Sequence, residues 1–85
     1  MENVVDVENW IRLEEELVEI KLFEKNEEIR TQAIERANEM NVIEEEVFEI
    51  DVFVQEDKRY RFAFIVRIDE DTQEKRLYYH GYFEV

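Results

Sequence analysis

The second half of the chain alternates apolar and polar residues with a period of two, which is typical of β-strands. The alternating apolar positions fall in residues 48–54, 60–68 and 77–85. In the last segment they place Leu77, Tyr79, Phe83 and Val85 on the apolar face. β-branched and aromatic residues dominate all three segments, and strands favour both types. Acidic segments suited to turns separate them, near 56–57 and 71–74. The pattern therefore predicts an antiparallel three-stranded meander with one apolar face.

A three-residue loop at 55–57 would fix the register of the first hairpin. It places Val54 opposite Lys58 and keeps the apolar positions of both strands on one face of the sheet. On the other face the same register sets Asp51 opposite Arg61, a cross-strand pair of opposite charge. We expect such pairs to fix the alignment of the two strands.

Residues 27–40 show the spacing of an amphipathic helix. Asn26 suits the N-cap, and Asn41 suits the end of the helix. The apolar stripe consists of Ile29, Ala33, Ala37 and Met40. This segment is predicted to cover the apolar face of the sheet.

The sequence pattern leaves the secondary structure of the segment before that helix open between helix and strand. Residues 8–16 favour a helix through their Glu and Leu content. Residues 17–24 fit a helix, but Val18, Ile20 and Leu22 also alternate with polar residues as a strand would. The fold class is therefore α+β: a three-stranded antiparallel meander packed against one or two helices, with a four-stranded β-α-β-β-β sheet as the alternative. Residues 1–85 are expected to form a single acidic domain.

Composition narrows the classes of function. The 85 residues carry a net charge of −13, with no Cys, no Pro, one Gly and one His. These counts exclude a disulfide scaffold, a cysteine-based zinc site and a glycine-rich phosphate loop. A basic footprint for direct binding of nucleic acid is also missing. The chain shows neither a signal-peptide pattern nor an apolar run of membrane-spanning length, so we expect a cytoplasmic protein without membrane contact.

The negative charge is uneven along the chain. Residues 1–57 hold 19 acids and 5 bases, whereas residues 58–85 hold 5 acids and 6 bases. One stretch has seven acids and no base: Glu44, Glu45, Glu46, Glu49, Asp51, Glu56 and Asp57. On one face of a strand, carboxylates recur every ~6–7 Å, which is close to the phosphate spacing of a DNA strand. These seven residues are the predicted partner-binding site, and a solvated face that keeps the protein soluble is the alternative.

The outer face of the second strand carries Arg59, Arg61 and Arg67. We expect these arginines to neutralise Glu49 and Asp51 across the sheet rather than to bind nucleic acid. Apolar residues beside them suggest a surface for self-association: Phe53, Ile65, Tyr78 and Tyr82. The free edge of the last strand offers a second route to pairing with another copy.

No pattern in the sequence indicates catalysis. His80 has neither a second His nor a Cys to complete a transition-metal site, and it is expected to point outward from its strand. Gly81 beside it suggests a bulge or a close approach of another chain. A calcium loop starting at Asp69 fails, because its sixth position is Glu74 and its twelfth is His80. We therefore expect no enzyme activity, no metal and no cofactor.

Two functions from different classes follow. The first is a small acidic, non-catalytic binding or inhibitor protein whose carboxylate-rich ridge occupies a basic surface of a partner, such as a nucleic-acid-binding protein or nuclease. In size and acidity the chain is similar to phage and mobile-element inhibitors of host defence, including DNA mimics and some anti-CRISPR proteins, but no motif supports that similarity. The second is a homodimeric interaction module in which the acids only confer solubility.

Overall fold

The structure, a computed structural model, describes residues 3–85. Helix α1 spans Trp10–Glu19 and helix α2 spans Asn26–Glu39, with a single 3₁₀ turn at Phe23–Lys25 between them. Three strands follow: β1 (Glu45–Gln55), β2 (Lys58–Ile68) and β3 (Lys75–Glu84). They form one antiparallel sheet in the order β1-β2-β3. The predicted α+β fold with a three-stranded meander is confirmed.

The alternative fourth strand in residues 17–24 does not form. Leu17 continues α1 and is fully buried together with Leu13, one turn earlier. Val18, which a strand would have turned inward, is instead 61% exposed. The chain then reverses through Lys21, whose φ of 60° lies in the left-handed region. The burial of Leu13 and Leu17 on one face of the helix therefore outweighs the strand-like alternation of residues 18–22.

The second helix begins and ends near the predicted residues. Asn26 is its first residue rather than a hydrogen-bonding N-cap, and its side-chain amide donates to Glu14 at 3.1 Å. The helix ends at Glu39, two residues before Asn41. The Lys75 ammonium donates to two carbonyl oxygens at this end, those of Ala37 (3.0 Å) and Met40 (2.8 Å). A cation from β3 thus satisfies carbonyl groups that a helix end leaves free.

The first hairpin has the predicted register up to its tip. Asp51 pairs with Arg61, as expected. At the tip, Gln55 rather than Val54 pairs with Lys58, because the turn contains two residues and the register shifts between Phe53 and Gln55. The predicted pairing of Val54 is therefore wrong, and its side chain is 37% exposed. The turn is one residue shorter than predicted, and the bulge leaves Val54 unpaired, so the register from Phe53 toward Glu45 is the predicted one.

A second irregularity lies in β3 beside Gly81, and of the two interpretations of this glycine, a bulge or a close approach of another chain, the register shows the bulge. Phe64 pairs with Tyr79 and Ala63 pairs with Gly81, which leaves His80 as the extra residue. An extra residue exchanges the two faces for the rest of the strand. Tyr82 consequently lies on the inner face, with its ring 5.8 Å from that of Phe62. Phe83 lies on the outer face and is 49% exposed. The expected positions of these last two side chains, Tyr82 outside and Phe83 inside, are both wrong.

Both helices pack on the same face of the sheet, which we call the inner face. The completely buried side chains come from both layers: Leu13, Leu17, Ile29, Ala33, Ala37, Phe62, Phe64, Val66 and Leu77. Tyr79 is buried with them, and its hydroxyl donates to a Glu16 carboxylate oxygen at 2.6 Å. Within residues 3–85, neither helix has the length and hydrophobicity needed to cross a bilayer. No described segment covers the opposite, outer face.

Candidate binding surfaces at the edge and outer face of the sheet

The free edge of β3 is closed by the segment that precedes α1. Val7 forms an isolated parallel bridge with Leu77, and the Glu8 amide donates to the Leu77 carbonyl at 2.8 Å. The Asn9 side chain then pairs with both backbone groups of Tyr79. Its amide donates to the carbonyl and its oxygen accepts from the N–H, each at 2.7 Å. The expectation of a free edge on the last strand is therefore wrong along Leu77–Tyr79.

This covering segment is itself held in place by side chains from α2. The Asn38 side chain accepts from the Val4 amide (2.7 Å) and donates to the Val4 carbonyl (3.0 Å). Arg30 forms two hydrogen bonds with the Asp6 carboxylate and lies over the Trp10 ring, 5.4 Å from its centroid. The closed edge is thus part of the packed structure rather than a loose contact.

The edge of β1, in contrast, is open. The Glu44 carbonyl accepts from Ile68 and so points toward β2, whereas the Glu49 carbonyl points away from it and accepts from Arg36 at 3.5 Å. Backbone groups of successive residues in a strand point to alternate sides, so every second residue of β1 faces outward. These residues are Glu45, Val47, Glu49, Asp51 and Phe53. Among the residues described, Arg36 is the one hydrogen-bonding partner at this edge.

The seven acids predicted as a partner-binding site surround this open edge. Glu45, Glu49 and Asp51 lie on the outer face, opposite residues of β2. Glu46 is on the same side of the strand as buried Phe48 and therefore faces the helix layer. Glu44 immediately precedes the strand, and Glu56 and Asp57 form its hairpin turn. The strand thus distributes the acids over both of its faces, and they do not form a single row.

Two of the seven carboxylates are neutralised within the sheet. Asp51 receives two hydrogen bonds from Arg61, at 2.7 and 3.1 Å, and Arg59 lies 3.7 Å away. The hydrogen bond from Arg61 is the main reason that the pKa of the Asp51 carboxyl is lowered. Glu45 pairs with Arg67 at 2.9 Å. The predicted neutralisation is therefore confirmed for Asp51, while Arg67 selects Glu45 instead of Glu49.

Five of the seven carboxylates have no cationic group within 4.0 Å in the described part of the chain. They are Glu44, Glu46, Glu49, Glu56 and Asp57. Beside the open edge, a shallow groove of about 540 Å³ separates α2 from β1. Its lining includes Arg36 from α2, Met40 directly after that helix, and Glu46, Phe48 and Glu49 from β1. No pattern in the sequence indicates a role for Arg36, because its place beside the strand depends on how the helix packs.

The outer face combines apolar side chains with these ion pairs. Val47, Ile65 and Tyr78 form one row across the three strands, and Val47 is 60% exposed. Phe53 is 66% exposed at one end of the face. The arginines of β2 lie over neighbouring rings: Arg59 over Phe53, Arg61 over Phe83 and Arg67 over Tyr78, at 5.5–5.9 Å. Of the four residues predicted for self-association, Tyr82 is therefore absent from this face, and Phe83 and Val47 belong to it.

His80 and the acidic loop that starts at Asp69 are the two motifs considered for proton or metal chemistry. His80 is exposed at the β3 bulge. In the loop before β3, an Asp69 carboxylate oxygen accepts from the amides of Asp71 (2.9 Å) and Thr72 (3.2 Å). These backbone hydrogen bonds, with that from Thr72 the largest cause, lower the pKa of Asp69. In residues 3–85 no three His, Cys, Asp or Glu side chains are arranged to hold a metal ion.

No protein-family model, no curated protein and no solved structure matches this chain. The open edge of β1 and the outer face are the two surfaces of the described residues that are suited to binding.

Proposed function

We propose that the protein is a non-catalytic acidic binding protein that occupies a basic, nucleic-acid-binding surface of a partner protein. The observation that supports this function is that five of the seven carboxylates in residues 44–57 have no cationic group within 4.0 Å among the described residues and lie around the open edge of β1. Carboxylates whose role was only to fix the sheet would be paired, as Asp51 is with Arg61.

The dimensions suit the surface of a nucleic-acid-binding protein. A strand rises about 3.3 Å per residue, so the carboxylates from Glu46 to Glu56 extend over roughly 30 Å. This length is close to one turn of duplex DNA, which is about 34 Å. A net charge of −13 adds long-range attraction to a positively charged groove and accelerates association at low salt.

Two double variants with equal charge test the proposal. Glu46→Lys/Glu49→Lys alters the open edge, and Glu35→Lys/Glu39→Lys alters exposed positions of α2. Both change the net charge from −13 to −9. We expect immobilised wild-type protein and the helix variant to capture the same basic proteins from lysate and release them between roughly 0.3 and 1 M salt. The edge variant should capture none, and duplex DNA should compete with the wild type.

Two outcomes would contradict this function. If both variants lost their partners to the same extent, the total charge rather than the edge would determine binding. If every partner left the wild type by about 0.15 M salt, the acids would serve solubility alone.

The outer face supports a second candidate, a homodimeric interaction module. Val47 and Phe53 are more than half exposed there, and two of the three β1 carboxylates of this face, Glu45 and Asp51, are paired with arginines. A second copy, itself strongly negative, meets least repulsion on such a face. Sedimentation should then show a wild-type dimer that Ile65→Lys dissociates and that Val18→Lys, on the exposed side of α1, leaves intact. A wild-type protein that remains monomeric at about 1 mM would exclude this candidate.

A further inference from the structure

We propose that the open edge of β1 binds an extended, basic segment of the partner as a fourth strand of the sheet. This inference rests on the proposed function and specifies how the basic partner is held. An unpaired strand edge is a template for an added strand, whose main-chain hydrogen bonds provide affinity while its side chains provide specificity.

The asymmetry between the two edges supports this mode of binding. At β3, Glu8 and Asn9 occupy the backbone groups of Leu77 and Tyr79. At β1, five outward-facing residues from Glu45 to Phe53 offer their N–H and C=O groups, and the one described contact is the 3.5 Å bond from Arg36. Proteins usually protect an edge strand with charges, a bulge or a covering segment, because exposed backbone groups pair with other chains. On the eleven-residue strand β1 the protection is by charges and a bulge, and its outward-facing backbone groups remain without a covering segment among the described residues, as an added strand requires.

The charges around the edge identify the occupant. Glu49 lies next to an incoming strand on the outer face, and Glu46 lies next to it on the helix side. Neither carboxylate has a cationic group within 4.0 Å among the described residues. A second copy of this chain would bring the same carboxylates against them, and nucleic acid would bring phosphates. A polypeptide segment with lysine or arginine at alternate positions complements both faces of the edge.

The groove beside the edge accommodates long side chains. It has a volume of about 540 Å³ and is bounded by Met40 and Phe48 as well as by Glu46. A lysine stem can pack along the two apolar side chains while its ammonium group reaches the carboxylate. Specificity for a long cationic residue follows on the helix side of the added strand.

Arg36 occupies part of this site in the free protein. Its guanidinium lies over the Phe48 ring, 5.4 Å from the centroid, and donates to the Glu49 carbonyl that an added strand would use. An incoming strand must displace this long hydrogen bond. The variant Arg36→Ala should therefore bind a basic strand several times more tightly, whereas Lys21→Ala, which removes a cation elsewhere, should not.

The test uses an eight-residue peptide of alternating lysine and valine, blocked at both ends. On the protein, Val47→Pro removes one outward-facing N–H donor without changing the charge, at a position where an edge strand tolerates proline. Val47→Ala is the control for the lost side chain. We expect the proline variant to bind the peptide about fivefold to tenfold more weakly than the alanine variant, as measured by titration calorimetry. Equal affinities would overturn strand addition.

Hydrogen exchange on the wild-type protein gives an independent result should Val47→Pro fold poorly. Peptide binding should slow exchange of the Val47, Glu49 and Asp51 amides and leave exposed amides of α2 unchanged. If the peptide slowed amide exchange equally in β1 and α2, or did not bind at all, the inference would be overturned. The lysate capture with edge and helix variants decides the proposed function separately, because it requires charge at the edge and not a strand-shaped ligand.

Discussion

Replacing Asn9 with alanine should release the edge of β3 that the N-terminal segment covers. Asn9 makes two hydrogen bonds to the backbone of Tyr79, both 2.7 Å long, and no capping bond to helix α1. The variant therefore opens the edge at Tyr79 without removing a side-chain cap of helix α1. The backbone bond from Glu8 to Leu77 remains.

The magnitude follows from the two bonds. Each contributes a net ~1 kcal/mol to stability, and Asn9 is half-buried, so water replaces the lost partners only in part. We expect the free energy of unfolding to fall by about 2 kcal/mol. In a domain of this size that loss lowers the midpoint of thermal unfolding by about 10 °C.

Urea unfolding measures the loss, and amide exchange locates it. Exchange of the Tyr79 amide should accelerate in Asn9→Ala, because its acceptor is gone. Asn41→Ala is the matched control, since Asn41 is exposed and makes no side-chain hydrogen bond among the described residues. A change below about 0.5 kcal/mol together with unchanged Tyr79 exchange would refute the idea that Asn9 closes this edge.

Four further predictions concern the core, a helix end, the charge and one ion pair. Leu17→Ala, at a fully buried position, should lower the free energy of unfolding in urea by about 2–5 kcal/mol; a loss below 1 kcal/mol would contradict the buried position. Lys75→Met should lower the free energy of unfolding by about 1–2 kcal/mol in the same assay, because two hydrogen bonds are lost; an unchanged value would show that water replaces them. The unfolding temperature of the wild type should rise between low and 0.5 M NaCl, because salt screens the repulsion of a chain with net charge −13; a fall would show that ion pairs dominate. Asp51→Asn should be less stable than the wild type at pH 7. Because the folded-state pKa of Asp51 is lowered from 3.8, this difference should shrink as the pH falls below that value toward the lowered pKa, and a difference that stays constant from pH 7 to pH 2 would exclude the Arg61 ion pair as its source.

The candidate site could be predicted from the sequence in its composition but not in its arrangement. A stretch of seven acids without a base is visible in the sequence. Which of them are neutralised is not, because Glu45 meets Arg67, 22 residues later in the chain, through the register of the hairpin. Arg36 reaches the edge of β1 only through the packing of α2 on the sheet. The division into paired and unpaired carboxylates is therefore a tertiary property.

The sequence by itself determined the positions of the three strands, the second helix and the inner face of the first hairpin. Hydrophobic periodicity is a local property, and burying one face of each element is the largest favourable term in folding. The tertiary structure alone decided that residues 17–19 continue helix α1 and that an extra residue at His80 exchanges Tyr82 with Phe83. It also decided that the edge of β3 is closed along Leu77–Tyr79 while that of β1 is open. Each of these outcomes depends on partners distant in sequence, as with Asn9 and Tyr79, which are 70 residues apart. No local pattern encodes such a contact, because its free energy exists only once the elements have packed.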